Sequence, residues 1–220
     1  YTNALIFGGL GPLPSGSPTP SIRIGNTESW NGSSWTEVAD LNTTAYYIGP
    51  ACQGTNTATL AFGGATPSGT AKNESWNGSS WTEVGDLNTA RAYVFGAGTQ
   101  TAALGAGGYS TTLASRIDNT ESWNGSSWTE VSDLNAPAYQ GGSSGTSTAA
   151  LAFGGGAAVA TTEAWDGSSW TEVSDLASGN ETIRGNGAGS AAAWAAGGDS
   201  FVTTTQEWTA PAVFNPLTQG

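Results

Sequence analysis

Two residue types recur at fixed spacing and have usable chemistry: tryptophan and glutamate. Trp-Asn-Gly-Ser-Ser-Trp occupies 30–35, 76–81 and 123–128, and Trp-Asp-Gly-Ser-Ser-Trp occupies 165–170. Glu28, Glu74, Glu121 and Glu163 stand two residues before the first tryptophan of each copy. Glu37, Glu83, Glu130 and Glu172 stand two residues after the second. Paired carboxylates are the machinery of glycoside hydrolysis, one serving as acid and the other as base or nucleophile. An indole beside a carboxylate also suits sugar binding, the ring stacking on a pyranose while the acid takes its hydroxyls. The simpler account of a fourfold repetition is scaffold. The acids then hydrogen-bond or face solvent, and each indole wedges between neighbouring units, burying about 150–250 Å². Scaffold is the expectation, with Glu28, Trp30, Glu74, Trp76, Glu121, Trp123, Glu163 and Trp165 as the alternative, lectin-like site.

The composition removes other chemistries. Histidine is absent and Cys52 is the only cysteine. The commonest general base and zinc ligand are therefore missing, and so is a Ser-His-Asp arrangement. No carboxylate cluster has EF-hand spacing. No catalytic residue, metal or cofactor is expected. Five basic against 17 acidic residues give a net charge of −12, the wrong sign for nucleic acid or an anionic membrane surface. No apolar run approaches the roughly 20 residues of a membrane-spanning helix. The partners that remain are a glycan or a protein surface, with a homo-oligomer or larger assembly as a further possibility.

The elements that position these residues follow from a second marker. An apolar run closing on Gly-Gly ends at Gly9, Gly64, Gly108, Gly155 and Gly198, and it alternates with the tryptophan motif, whose fifth copy is reduced to Glu207-Trp208. From a first tryptophan to the next Gly-Gly the interval stays at 32 to 34 residues, as paired strands require. From Gly-Gly to the following tryptophan it varies from 10 to 21 residues, as exposed loops permit. With no sustained helical period, each unit reads as four short strands. In the second unit these are a from Tyr46–Gly49, b at Thr59–Gly64, c at Asn73–Trp76 and d at Trp81–Leu87. Asn-Gly between c and d is expected to supply the positive φ angles of a tight hairpin.

Antiparallel units of about 45 residues have the length and pattern of propeller blades. The expected fold is an all-β, five-bladed β-propeller in a single domain, with blades near 1–42, 43–88, 89–135, 136–177 and 178–220.

Glu-x-Trp-Asn, then Trp-Thr-Glu-Val-x-Asp-Leu, with Phe-Gly-Gly upstream, resembles the kelch repeat from Leu5 to Trp208. Trp30, Trp76, Trp123 and Trp165 stand where kelch repeats usually carry tyrosine. The Trp-rich repeats are also similar to kelch-like proteins of marine bacteriophages and bacteria. Glu-x-Trp-Asp-Gly-x-x-Trp-Thr is similar to repeats of small propeller lectins, some of which bind fucose. These resemblances imply a non-enzymatic recognition, adhesion or structural module of a virion (tail-fibre or decoration type) or cell surface, located extracellularly. A self-assembling structural subunit is the alternative, and fucose-type binding between blades is third.

In such a ring the variable b–c loops share one face with the d–a connections. Arg23, Arg91, Arg116, Asp118 and Asp199 are the candidate ligand contacts there. The first unit lacks a strand a and the last lacks a strand d, so the tail at Ala212–Leu217 is expected to close the ring against the first unit.

Overall fold

The computed structural model describes residues 3–11, 22–51, 53–66, 68–179, 182–189, 191–197 and 205–209. The first blade is built from β1 (Ala4–Gly11), β2 (Ile22–Trp30) and β3 (Trp35–Val38). The second holds β4 (Gly49–Pro50), β5 (Thr59–Phe62), β6 (Asn73–Trp76) and β7 (Trp81–Glu83). The third holds β8 (Phe95–Gly98), β9 (Ala103–Ala106), β12 (Thr120–Trp123) and β13 (Trp128–Val131). A small hairpin, β10 (Tyr109–Ser110) with β11 (Ser115–Arg116), is set into its b–c loop. The fourth holds β14 (Gly142–Thr146), β15 (Ala149–Phe153), β16 (Thr162–Trp165) and β17 (Trp170–Val173). The fifth holds β18 (Arg184–Gly189), β19 (Ala192–Ala196) and β20 (Thr205–Thr209). Every pairing within a blade is antiparallel, and the whole is a five-bladed β-propeller.

Among the described residues the first blade has strands b to d and the fifth a to c, while the middle three have all four. The tail expected to close the ring lies outside the described residues.

The tryptophan pairs hold the blades together. Trp76 and Trp81 of the second blade are buried in a cluster with Leu5, Phe7 and Val38 of the first. Trp123 and Trp128 pack on Leu60, Phe62 and Leu87 of the second, and Trp165 and Trp170 on Phe95, Leu104 and Leu134 of the third. Each pair thus inserts into the blade before it. The first indole of a pair donates to its own a–b turn: Trp76 to Asn56 O, Trp123 to Gln100 O and Trp165 to Ser147 O, at 2.9 to 3.0 Å. The second reaches across: Trp81 to Thr27 Oγ1 at 3.0 Å and Trp170 to Thr120 Oγ1 at 3.1 Å. Trp35, in the first blade, remains 44% exposed.

The turns differ from expectation. Trp30 pairs directly with Trp35, so Asn-Gly-Ser-Ser is a four-residue loop rather than a two-residue hairpin turn. Only glycine takes a positive φ, between 95° and 98° across Gly32, Gly78, Gly125 and Gly167. The asparagine acts through its side chain: Asn31 Oδ1 accepts from the amides of Ser33 and Ser34 at 2.9 and 3.0 Å. In the fourth copy Asp166 does the same with a full charge. The Ser169 amide, the Ser168 hydroxyl and the Ser168 amide hold its carboxyl down at about 2.

Gly-Gly is explained by the connection to the next blade. Gly63 and Gly64 have φ of 65° and 114°, and the Gly64 amide donates to Arg91 O in the d–a connection at 2.9 Å. A Cβ on Gly63 would stand 2.6 Å from the same carbonyl.

Two expectations follow. Trp128→Ala should cost about 3–5 kcal/mol in urea denaturation, whereas Trp35→Ala should stay within about 1 kcal/mol. The Asp166 carboxyl should titrate near 2 by NMR. Because its folded value is depressed, its contribution is complete above the unfolded value and fades as pH falls through about 2. In Asp166→Asn that acid dependence should vanish while the fold persists, since three copies already carry asparagine there.

Candidate functional site

The repeated carboxylates are used by the scaffold. Glu74 accepts from Asn42 N at 2.8 Å, Asn42 Nδ2 at 2.9 Å and Thr43 N at 2.8 Å, all from the chain leaving the first blade. Glu121 takes the same bonds from Asn88 and Thr89. Glu163 takes them from Asn135. In the fifth blade Gln206 replaces the acid and accepts from Ala177 N at 2.6 Å. The outer glutamates sit directly opposite the inner ones in register and hold other partners: Asn26 with Glu37, Lys72 with Glu83, and Asn119 with Glu130.

These bonds correct the lectin alternative at three blades. Glu74, Glu121 and Glu163 are buried, Glu74 and Glu121 with both carboxylate oxygens bonded and Glu163 with Oε2 held by Asn135. Trp76, Trp123 and Trp165 are 1 to 3% exposed, so no indole face is open to a sugar. Glu28 and Trp30 are half-buried, and Trp30 lies against Trp35 with ring centroids 5.5 Å apart.

Arg91 also needs correction as a ligand contact. It is fully buried, pairing with Glu121 Oε1 at 2.9 Å and donating to the carbonyls of Gly105, Gly107 and Asn119. Burial lowers its pKa, and the neighbouring Glu121 opposes that shift. The second and fourth blades carry Ala45 and Ala138 at this place. Asp118 serves through its carbonyl, which accepts from Leu134 N at 3.0 Å. Asp199 lies outside the described residues.

Arg23 and Arg116 are exposed, and they reach a feature that the repeat pattern did not reveal. Five half-buried tyrosines run in unbroken ring contact across the b–c face. Tyr46 meets Tyr47 at 4.4 Å, Tyr47 stacks on Tyr93 at 3.8 Å, Tyr93 meets Tyr139 at 5.7 Å, and Tyr139 meets Tyr109 at 5.7 Å. Arg23 lies over the Tyr46 ring at 5.5 Å, and Arg116 is the cross-strand partner of Tyr109. Burial first, and the Tyr47 hydroxyl second, raise the Tyr93 pKa, so its phenol stays a neutral donor at ordinary pH.

Left-handed backbone sets two of these rings, Tyr47 and Tyr93. Tyr47, Tyr93, Gln140 and Thr182 occupy equivalent places where successive chains enter strand a, and all four have φ between 51° and 62°. Left-handed residues other than glycine cost about 1–3 kcal/mol each, and such strain gathers at functional sites. The left-handed kink also explains why β4 starts at Gly49 rather than Tyr46: Tyr47 breaks the extended run.

Below the belt an axial cavity of about 140 Å³ is lined by Tyr47, Tyr93, Gln140, Ser143 and Arg184. It adjoins a trough of about 530 Å³ lined by Ile6, Leu10, Tyr46 and Pro50, and Tyr47 and Arg184 border both. The signal available in sequence was a tyrosine ahead of strand a in three units, together with a single arginine, Arg184, inside such a strand. Among the described residues no group of three or more acidic or cysteine side chains is placed to hold a metal ion.

No protein family and no curated protein matches this sequence. Among solved structures, the chain described as "Structure of YjhT" is similar in fold. Its TM-score is 0.76 at 12% identity, over 95% of this chain and 79% of that one. At that identity the likeness establishes the propeller and nothing finer.

The buried ion pair should be asymmetric. Glu121→Gln leaves Arg91 buried without its counter-charge and should cost about 3–5 kcal/mol in urea denaturation. Arg91→Ala should cost clearly less, because two other blades carry alanine at that place and Glu121 keeps three donors.

Proposed function

We propose that this propeller is a non-enzymatic recognition module that binds an anionic glycan across its tyrosine belt. The carrying observation concerns the basic residues. Of five in a chain of net charge −12, Lys72 pairs with Glu83 and Asp86, and Arg91 is buried against Glu121. The other three, Arg23, Arg116 and Arg184, have no ion pair among the described residues, and all border the belt or its cavities. Against such a background, exposed arginines beside half-buried aromatic rings suit a ligand with negative groups and apolar ring faces. The non-enzymatic part rests on the repeated carboxylates, whose bonds are those of a scaffold. An extracellular place on a virion or cell surface is part of the same proposal, and is supported by the resemblance of the repeats.

A glycan array that includes acidic and neutral saccharides tests the reading. Acidic glycans should bind, and Arg23→Ala/Arg116→Ala should weaken them about tenfold or more, as for loss of charge-assisted bonds. Binding that is equal for neutral glycans, or absent throughout at millimolar ligand, overturns it.

Self-association is the second reading. β1 pairs only with β2 among the described residues and presents Ile6 and Leu10 half-exposed, an edge that a strand of another copy can extend. A strict monomer in sedimentation at all concentrations removes it.

A further inference from the structure

The junction between the third and fourth blades carries one half of an ion pair. At the junction before it, the Arg91 guanidinium spreads over four acceptors. Its Nη1 donates to Gly107 O and Asn119 O, and its Nη2 to Gly105 O and Glu121 Oε1. The fourth blade repeats the acceptors at equivalent places. Glu163 stands opposite Ala152 in register, as Glu121 stands opposite Gly105. Gly154 N donates to Thr161 O, as Gly107 N donates to Asn119 O. Ala138 stands where the third blade has Arg91.

The short side chain leaves room. A cavity of about 180 Å³ is lined by Ala138, Ala152, Gly154, Thr161 and Glu163, and all of its walls fall within residues 68–179, which are described without a break. Arg116 is the other charged side chain in the lining; it and Val159 are exposed, so the cavity opens on the b–c face. Glu163 is only 5% exposed, yet among the described residues no donor reaches its Oε1. A buried carboxylate oxygen without a donor is costly, and this one borders a cavity. The second blade supplies the contrast. It also has alanine at this place, Ala45, but Glu74 Oε1 accepts from Thr43 N at 2.8 Å, and the cavity there is about 10 Å³. That is the lower limit for a single water. Alanine alone therefore does not make the pocket.

We propose that this pocket binds a guanidinium group from outside the chain, carried by a molecule with an acidic group at its other end. The guanidinium follows from the acceptors. A planar fork of N–H donors serves a carboxylate oxygen and several carbonyls together, as Arg91 does, whereas a compact ammonium cannot reach them all. The acidic end follows from Arg116, which repels a bare cation at the mouth and pairs with a carboxylate. Arginine carries both groups, and so does the last residue of a peptide ending in arginine. The site does not rest on the glycan reading, although Arg116 borders both.

Calorimetric titration of the full chain with free arginine tests the site, and a single site per chain is expected. Lysine, which lacks the fork, and agmatine, which lacks the carboxylate, should each bind about tenfold or more weakly than arginine. Ala138→Arg should abolish binding by placing a tethered guanidinium in the pocket, with Tm unchanged or raised. Glu163→Gln, which keeps an acceptor for Asn135, should weaken binding about tenfold or more with the circular dichroism unchanged. A short peptide ending in arginine separates the sources. Tighter binding of that peptide than of free arginine assigns a protein partner, and weaker binding assigns the free amino acid. No arginine binding at millimolar concentration overturns the proposal. So does equal affinity for lysine or agmatine, or binding that survives both Ala138→Arg and Glu163→Gln.

Discussion

The insertion of one blade's tryptophan pair into the blade before it is the interaction on which the rest of the molecule depends. A blade of short strands built from Gly, Ala, Ser and Thr has little apolar side chain with which to bury its own faces, and is not stable alone. Trp76 and Trp81, Trp123 and Trp128, and Trp165 and Trp170 supply that surface at three successive interfaces. The carboxylate latch fixes the same interfaces in angle. Glu74, Glu121 and Glu163 each take the backbone and side-chain donors of an asparagine that leaves the preceding blade. Indole and carboxylate thus divide the work, one supplying area and the other direction.

Because the wedge points one way along the chain, the two ends of the ring differ. The first blade carries its pair, Trp30 and Trp35, with Trp35 substantially exposed. The fifth blade keeps a version of the latch in Gln206, whose amide accepts from Ala177 and donates to Ser178 O at 3.3 Å. Acid and asparagine have changed together there, so a neutral pair does the work of a charged one.

The belt depends on the same ring in another way. Successive connections enter strand a through left-handed residues, and Tyr93 N donates to Tyr47 O at 2.9 Å across neighbouring blades. Rings from separate units are thereby stacked side by side on the face where the loops vary. Three basic residues that do not repeat, Arg23, Arg116 and Arg184, lie beside that row of rings or its cavities.

Repetition made the fold readable from sequence. Identical motifs at nearly constant spacing give strand number, blade number and loop position, because paired strands tolerate no change of length and loops do. The same repetition gave the scaffold role of the tryptophans, since a position used in every unit serves what every unit needs. The Asn-Gly turn was misread in detail: the two-residue pattern hides a side-chain cap on Asn31 Oδ1 that appears only when the four loop residues are seen together. Tertiary structure alone decided which arginine is buried and which are exposed. Arg91 differs from Arg23 and Arg116 by the carbonyls and the Glu121 that close around it, contacts 14 to 30 residues distant in the chain. It alone assembled the tyrosine belt, because Tyr46, Tyr93, Tyr109 and Tyr139 come from three connections and one inserted hairpin that are neighbours only once the ring has curved.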